Sequence, residues 1–267
     1  MNSSQEHYYD EFTAAVYDQE YSVNKEEILF YMNIAEHTGG PILELGCGTG
    51  AILLPLVEKG FTVVGVDSSE FMLNVLKRKI ERVNNKNKLK ITLFKSRMED
   101  FETSHQFNLI IIANNTFLHL NQFEKMHLLK KLPRLLSPEG IAVIDIFNPN
   151  RNELLLTDLY YMRGYPVFYK DNMYLVNAST RHVSSEQKLI IQKEYHQVSE
   201  FGVLNEEPFR TSFELFYLSK EQFEKLVKSI GTLKIQAIYG NYQKARYTEK
   251  SQRMIFILTH NNSIQSK

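Results

Sequence analysis

The chain has 267 residues, with 31 Lys plus Arg against 31 Asp plus Glu, one Cys and no Trp. This length allows one large domain or two small ones and can bury a core without covalent staples. A single cysteine excludes a disulfide framework and a cysteine-rich zinc site, and zero formal charge gives no general attraction to nucleic acid or an anionic membrane.

Residues 1–40 are expected to form a helical cap. Their start, MNSSQEHYYDEF, lacks the basic segment and the apolar run of an export signal, and no part of the sequence reaches the roughly 20 apolar residues that span a bilayer. We therefore expect a cytoplasmic protein without a membrane segment. One helix is predicted over Lys25–Glu36, and an aromatic cluster precedes it: Tyr8, Tyr9, Phe12, Tyr17 and Tyr21.

Residues 41–150 alternate short apolar runs with amphipathic stretches, the pattern of a parallel sheet with helical crossovers. Strands are predicted at Pro41–Leu45, Phe61–Val66, Leu89–Phe94, Phe107–Ala113 and Ile141–Ile146, and helices at Ala51–Lys59, Glu70–Val83 and Gln122–Leu136. In the last helix, every third residue from Phe123 to Leu132 is apolar, and we expect this stripe to face the core.

After residue 150, alternating apolar and polar residues predict antiparallel strands. A helical link is expected over Asn152–Tyr160, and strands over Met173–Val183, Lys188–Val198 and Phe209–Leu218. Ser219 and Gln222 predict a capped helix that ends at Gly231, followed by strands Leu233–Tyr239 and Arg253–Thr259. We interpret residues 1–267 as one domain, with a cofactor-binding core at 41–150, a lid insertion at 151–218 and a C-terminal helix with two strands at 219–267.

The strongest chemical signal is the segment from Glu44 to Gly50, ELGCGTG, where the first predicted strand turns into a helix. Its glycines permit a tight turn and let a ligand approach the backbone, and the next helix directs free N–H groups toward that ligand. Seventeen residues past Gly50, Asp67 ends the second predicted strand, and its carboxylate can accept both hydroxyls of a ribose. Loop and carboxylate together predict a nucleoside-containing ligand.

Two classes of nucleoside ligand remain open, besides a loop that only makes a turn. Gly46, Gly48 and Ala51 also have the spacing of a dinucleotide-binding loop, which would hold a nicotinamide or flavin cofactor. Glu44 lies beside the loop, where its charge would repel a pyrophosphate but attract a ligand with an ammonium and a sulfonium.

At these motifs the chain resembles the class I S-adenosylmethionine-dependent methyltransferases, in the small-molecule branch with an N-terminal cap and a β insertion. ILELGCGTG is similar to the first motif of that family, GVDSSEFM to the second, and YGNYQKARYTEKSQRMIFIL to the terminal helix-strand-strand unit. The resemblance implies an α/β, Rossmann-like fold with a seven-stranded, mostly parallel sheet and a reversed last strand. It also implies S-adenosyl-L-methionine as the cofactor.

The resemblance further implies how single residues bind the cofactor. Glu44 would orient its amino group, and Asp67 would hold its ribose. The loop residues Gly46, Cys47, Gly48 and Gly50 would line its methionine portion, with Ser68 and Met72 beside the sugar and adenine. Cys47 is interpreted as a small packed residue without a nucleophilic or redox role.

Four further positions depart from or complete the family pattern. Met98 matches the position whose backbone meets adenine, and Arg97 stands where the family commonly has Asp. The adenine amino group would then be bound by Glu99, Asp100 or main-chain carbonyls. Asn114 and Asn115 match the segment that faces the methyl group.

Two residues are catalytic candidates. Tyr17 resembles a tyrosine that closes over the cofactor and reaches the substrate in this branch; the alternative is an ordinary core aromatic. His119 could act as a general base, which is needed only when the acceptor arrives protonated. The alternative for His119 is a histidine that only bonds a neighbour. No spacing of histidines predicts a metal site.

Together these features predict a methyltransferase of class EC 2.1.1.- that acts on nitrogen or oxygen of a small-molecule acceptor. The zero charge and the lack of an RNA-binding appendage disfavour a nucleic-acid partner. A methyltransferase acting on tRNA or protein, and a protein that binds the cofactor without transferring a methyl group, are the alternatives. No membrane partner is expected, and no sequence feature predicts an oligomeric state.

Overall fold

The computed structural model describes residues 9–21, 24–83, 88, 90–149, 154, 161–199, 202 and 207–261. These residues divide into two compact units. The smaller unit contains the described parts of residues 1–22 and 149–217, and the larger unit contains those of residues 23–148 and 218–267. The predicted cap of residues 1–40 is thus shared between both units. Within the described residues no helix is long and apolar enough to cross a membrane.

Six α-helices and eleven strands are found in the described part of the chain. The helices are α1 (Glu11–Glu20), α2 (Lys25–Thr38), α3 (Leu53–Glu58), α4 (Glu70–Ile80), α5 (Gln122–Leu135) and α6 (Lys220–Ile230). The strands are β1 (Ile42–Leu45), β2 (Val63–Asp67), β3 (Ile91–Lys95), β4 (Phe107–Ile112), β5 (Leu136–Phe147), β6 (Tyr161–Tyr169), β7 (Asn172–Val183), β8 (Lys188–Gln197), β9 (Phe209–Phe216), β10 (Leu233–Tyr239) and β11 (Arg253–His260).

The larger unit is built on a seven-stranded sheet in the order β10-β11-β5-β4-β1-β2-β3. Strands β1 to β5 pair in parallel, whereas β11 runs antiparallel to both β5 and β10. Strand β1 is buried along its whole length, and β4 and β11 are largely buried, because helices cover both faces of such a sheet. The predicted seven-stranded, mostly parallel sheet with a reversed last strand is confirmed.

Local sequence explains where the helices of the larger unit begin. The side chain of Asn121 caps α5 and that of Ser219 caps α6, each in a reciprocal capping box with the residue three positions later. The predicted start of α6 at Ser219 and its end before Gly231 therefore match the structure.

The predicted apolar stripe of α5 is wrong at one position. Phe123 is 80% exposed, whereas Lys125, Leu128, Leu129, Leu132 and Leu135 form the buried face. A strict three-residue repeat drifts around a helix with 3.6 residues per turn, so its first member leaves the core-facing side.

The smaller unit combines α1 with a four-stranded antiparallel sheet in the order β6-β7-β8-β9. Phe12 of α1 packs its ring about 5 Å from the rings of Tyr169, Tyr174, Tyr195 and Phe209. Glu20 forms a buried ion pair with Lys193 at 3.0 Å. The antiparallel insertion was expected, but β6 was not. The predicted link over Asn152–Tyr160 lies outside the described residues apart from Leu154.

Candidate cofactor site

The glycine loop follows β1 and occupies backbone conformations that favour glycine. Gly46, Gly48 and Gly50 have φ angles of 74°, 51° and 85°. The N–H groups of Gly46 and Cys47 donate to the Val66 carbonyl of β2 at 2.7 and 3.0 Å, which fixes the loop above the adjacent strand. The segment predicted from sequence therefore forms a tight, close-packed turn at the carboxyl edge of the sheet, where ligands bind in folds of this kind.

The Asp67 carboxylate is held in a fixed orientation at the end of β2. Its Oδ2 accepts the Gly48 N–H at 2.8 Å, and its Oδ1 accepts the Ser69 N–H at 2.9 Å. Burial raises the pKa of Asp67, and these backbone bonds oppose the rise. Each carboxylate oxygen keeps a further lone pair, so both can still accept a hydroxyl. The group is thus placed to bind two neighbouring ribose hydroxyls.

Glu44 supplies a second carboxylate, whose hydrogen bonding is incomplete. Its side chain lies inside the larger unit at 3% exposure, and Oε2 has no hydrogen-bond partner among the described residues. Burial, followed by the charges of Glu27 and Asp67, raises the pKa of Glu44. A buried oxygen of this kind requires a donor, preferably a cationic one. The ammonium of S-adenosylmethionine is such a donor, so this part of the site fits the cofactor.

The remaining loop neighbours differ in exposure. Met72 is buried in α4, and a Cβ on Gly48 would lie 3.5 Å from its methyl group. Ser68 is exposed directly after β2. Cys47 is buried, and its thiol pKa is raised by burial and by the charges of Asp67 and Glu44. Because a thiolate would be disfavoured there, Cys47 is suited to packing and not to nucleophilic chemistry.

Arg97 is occupied by other side chains. Its guanidinium bonds the buried Glu99 and also reaches Glu124 of α5 at 2.5 Å. Glu124 is at the same time the third residue of the α5 capping box. The Arg in place of the family's Asp therefore ties the Met98 turn to the start of α5. Cofactor binding by Arg97 or Met98 stays a prediction.

Asn114 and Asn115 form a strained turn after β4. Both have left-handed backbone conformations, with φ angles of 51° and 64°. The Asn115 side chain accepts the Phe147 N–H at 2.7 Å, while its own N–H donates to the Asp145 carbonyl at 3.0 Å. These bonds hold the turn against the end of β5 and leave Asn114 exposed at the edge of the sheet.

His119 ends a short 3-10 helix, Thr116–His119, that follows this turn. Burial and the nearby charge of Lys125 lower the pKa of His119 to about 4. The imidazole is therefore neutral at neutral pH and can accept a proton, but its conjugate acid is too strong to hold one taken from an amine.

Tyr17 lies on α1 in the smaller unit. Its ring centroid is 4.7 Å from that of Tyr21 and 6.0 Å from that of Tyr9, which places it in a local aromatic cluster. Its role toward the cofactor or the substrate stays a prediction.

A polar network lies beside the site, and the sequence analysis did not predict that its members come together. Arg253 of β11 makes two hydrogen bonds to the buried Asp145 of β5, at 2.7 and 2.8 Å. The Tyr242 hydroxyl donates to the same carboxylate at 2.8 Å, and Tyr31 of α2 lies 3.4 Å away. Glu27 of α2 completes the network: its carboxylate lies beside the Tyr242 hydroxyl, whose proton goes to Asp145, and accepts a hydrogen bond from the side chain of Asn114.

One signal could have revealed Glu27. The buried face of α2 contains Phe30, Tyr31 and Ile34, so Glu27 occupies the first position of an i, i+3, i+4, i+7 core stripe. A carboxylate is rarely placed on such a face without a reason, because burying its charge is costly.

The comparisons with known proteins agree with this geometry. A family model described as "Methyltransferase domain" matches residues 42–140. The chain is 26% identical over 255 residues to the cypemycin N-terminal methyltransferase of Streptomyces sp, covering 94% of this chain and 96% of that protein.

Solved structures extend the likeness to the fold of the whole chain. The CcbJ methyltransferase from Streptomyces caelestis has a TM-score of 0.75 at 22% identity, covering 96% of this chain and 99% of that one. CalS10 from Micromonospora echinaspora, an amino pentose methyltransferase solved with S-adenosylmethionine bound, has a TM-score of 0.68 at 16% identity, with coverages of 92% and 95%.

Proposed function

We propose that the chain is a class I S-adenosylmethionine-dependent methyltransferase that methylates a small molecule, at nitrogen in preference to oxygen. The family match over residues 42–140 and the similar proteins support this proposal. The observation that supports this proposal is the buried Glu44 carboxylate beside the glycine loop. One of its oxygens lacks a hydrogen-bond donor among the described residues, and a cationic donor would suit it. Nitrogen is favoured by the name of one relative that matches nearly the whole chain, an N-terminal methyltransferase.

In this proposal, different residues of the larger unit bind different parts of the cofactor. Bound S-adenosylmethionine supplies a methyl group on a sulfonium, which is an activated leaving group. Asp67 binds the ribose hydroxyls, Glu44 binds the ammonium, and the glycine loop permits close approach to the backbone. Asn114 and Asn115 face the reacting end. Positioning supplies much of the rate in such a site, and His119 is its proposed substrate-side residue. The substrate-side role of Tyr17, which lies in the smaller unit, stays a prediction.

Calorimetric titration with S-adenosylmethionine and S-adenosylhomocysteine tests the proposal. We expect Asp67→Ala to weaken binding roughly tenfold to a hundredfold, since hydrogen bonds to a charged group contribute about 1.5–3 kcal/mol. Asp171→Ala, in the exposed turn between β6 and β7, is the matched control and should bind normally. Absence of binding by well-folded wild-type protein would refute the proposal.

Two alternatives give different observations. A methyltransferase acting on tRNA would shift labelled tRNA in a salt-sensitive manner. A protein that only binds the cofactor would leave S-adenosylmethionine unconverted during incubation with cell extract, whereas an enzyme would release S-adenosylhomocysteine.

A further inference from the structure

Glu27 is a buried carboxylate with an unused oxygen. It lies on α2 at 4% exposure, and Oε1 has no hydrogen-bond partner among the described residues. Buried polar atoms are nearly always paired, so an orphaned carboxylate oxygen points to a ligand atom that completes it.

The hydrogen-bond donors of the neighbouring network are directed at Asp145. Arg253 donates to Asp145 through Nε and Nη2, and the single Tyr242 proton donates to the same carboxylate at 2.8 Å. The Tyr31 hydroxyl also lies 3.4 Å from Asp145. The charge of Arg253 partly offsets the cost of ionising Glu27, but Oε1 of Glu27 receives no hydrogen bond from the described residues.

Glu44 is a second carboxylate with an unpaired oxygen among the described residues, and it is close enough to interact with the charge of Glu27. The charge of Glu27 raises the pKa of Glu44, and each of the two carboxylates has one buried oxygen without a hydrogen-bond partner among the described residues. A single ammonium from the cofactor satisfies Glu44 at the glycine loop. Because the two carboxylates repel each other, a second positive group beside Glu27 would be bound favourably.

The position of Glu27 indicates which group that is. Its carboxylate bonds the side chain of Asn114, the exposed residue directly beyond β4. This is the carboxyl edge of the sheet, and in the proposed function it is the segment that faces the methyl group.

We propose that Glu27 is the acceptor-binding residue: through Oε1 it binds the amino group of a primary or secondary amine as an ammonium and takes its proton. This inference rests on the proposed function and assigns the acceptor class. The N–H bond breaks, its electron pair stays on nitrogen as the nucleophilic lone pair, and the proton forms an O–H bond on Glu27. Solvent later removes that proton.

The proton affinity of the site suits this step. Burial and the charge of Asp145 raise the pKa of Glu27 to about 7, against opposing contributions from Arg253, Tyr242 and Asn114. A base with a pKa near the working pH both takes and releases a proton readily, in contrast to His119.

Carboxyl NMR of protein labelled with ¹³C-glutamate provides a test that does not depend on turnover. The Glu27 signal is assigned from its loss in Glu27→Gln, and the protein is saturated with S-adenosylhomocysteine. Methylammonium, the minimal amine probe, should shift this signal and lower its pKa, whereas tetramethylammonium, which has no N–H, should not. Glu26→Gln, on the exposed side of the same helix, should behave as wild type.

Calorimetry separates this inference from the proposed function. Glu27→Gln should bind S-adenosylmethionine within about threefold of wild type, the change expected when no cofactor contact is lost. A loss of tenfold or more would assign Glu27 to the cofactor and overturn the inference, as would a Glu27 signal that methylammonium leaves unchanged. Failure of the wild type to bind S-adenosylhomocysteine would instead overturn the proposed function.

Discussion

Gly46 and Thr116 approach so closely that a Cβ atom on Gly46 would lie 2.1 Å from Cγ2 of Thr116. The glycine loop after β1 and the turn after β4 are therefore packed directly against each other. Because Gly46 has no side chain, the backbone can approach Thr116 this closely and also leaves room for a ligand.

Gly46→Ala should destabilise the larger unit through two separable effects. The left-handed backbone costs about 1–2 kcal/mol for an alanine, and overpacking adds about 1–3 kcal/mol. Urea unfolding should show both. Gly202→Ala is the control, because Gly202 has a similar φ of 75° and no described atom would lie within 4 Å of its added Cβ, so it should show only the first effect. Adding Thr116→Ser, which removes Cγ2, should restore part of the loss; no restoration would locate the strain elsewhere.

Arg253→Gln should be strongly destabilising, because it leaves the Asp145 carboxylate buried without its cation. Breaking a buried ion pair in this way costs about 3–5 kcal/mol. Lys220→Gln removes a partly exposed pair with Glu224 and should cost less than about 1 kcal/mol. Chemical unfolding of both variants measures the difference in the free energy of unfolding. Equal losses would mean that the Asp145–Arg253 pair stabilises the fold no more than the partly exposed pair does.

The stability of the wild type should fall as pH rises from about 4.5 to about 7, because Glu27 binds its proton more tightly in the folded than in the unfolded chain. The shift from 4.5 to about 7 corresponds to roughly 3 kcal/mol. Glu27→Gln should reduce this dependence by the contribution of Glu27, while Glu44 and Asp67, whose pKa values are also raised by burial, keep theirs. The variant should be more stable than wild type at pH 8 but not at pH 4. A parallel pH dependence in both proteins, measured by urea unfolding, would contradict the assignment.

His119→Ala should lower turnover while leaving cofactor affinity nearly unchanged, if the histidine contacts the acceptor. Because the pKa of His119 is about 4, its protonation cannot produce an inflection near pH 7 in the profile of kcat/KM. Glu27, with a pKa of about 7, should produce such an inflection, which should survive in His119→Ala and disappear in Glu27→Gln. A loss of S-adenosylhomocysteine affinity in His119→Ala would instead place the histidine at the cofactor.

The sequence predicted the parallel core closely because apolar runs and glycine turns are local signals. Strand β10 and helix α6 lie where they were predicted. Strand β6 was not predicted, because Gly164 and Pro166 interrupt the alternation of apolar and polar residues along it. The glycine loop and Asp67 were found through a motif. Glu27 was not, because its importance arises from contacts with Asp145, Tyr242 and Arg253, which are far from it in sequence.

The place of β11 in the sheet has a consequence for folding. Asp145 of β5 is paired with an arginine 108 residues further along the chain, so β5 is synthesised long before the cation of its carboxylate. Without β11, that side of β5 is an open strand edge, which is available for mispairing with other strands. Insertion of β11 between β5 and β10 both closes this edge and supplies the cation.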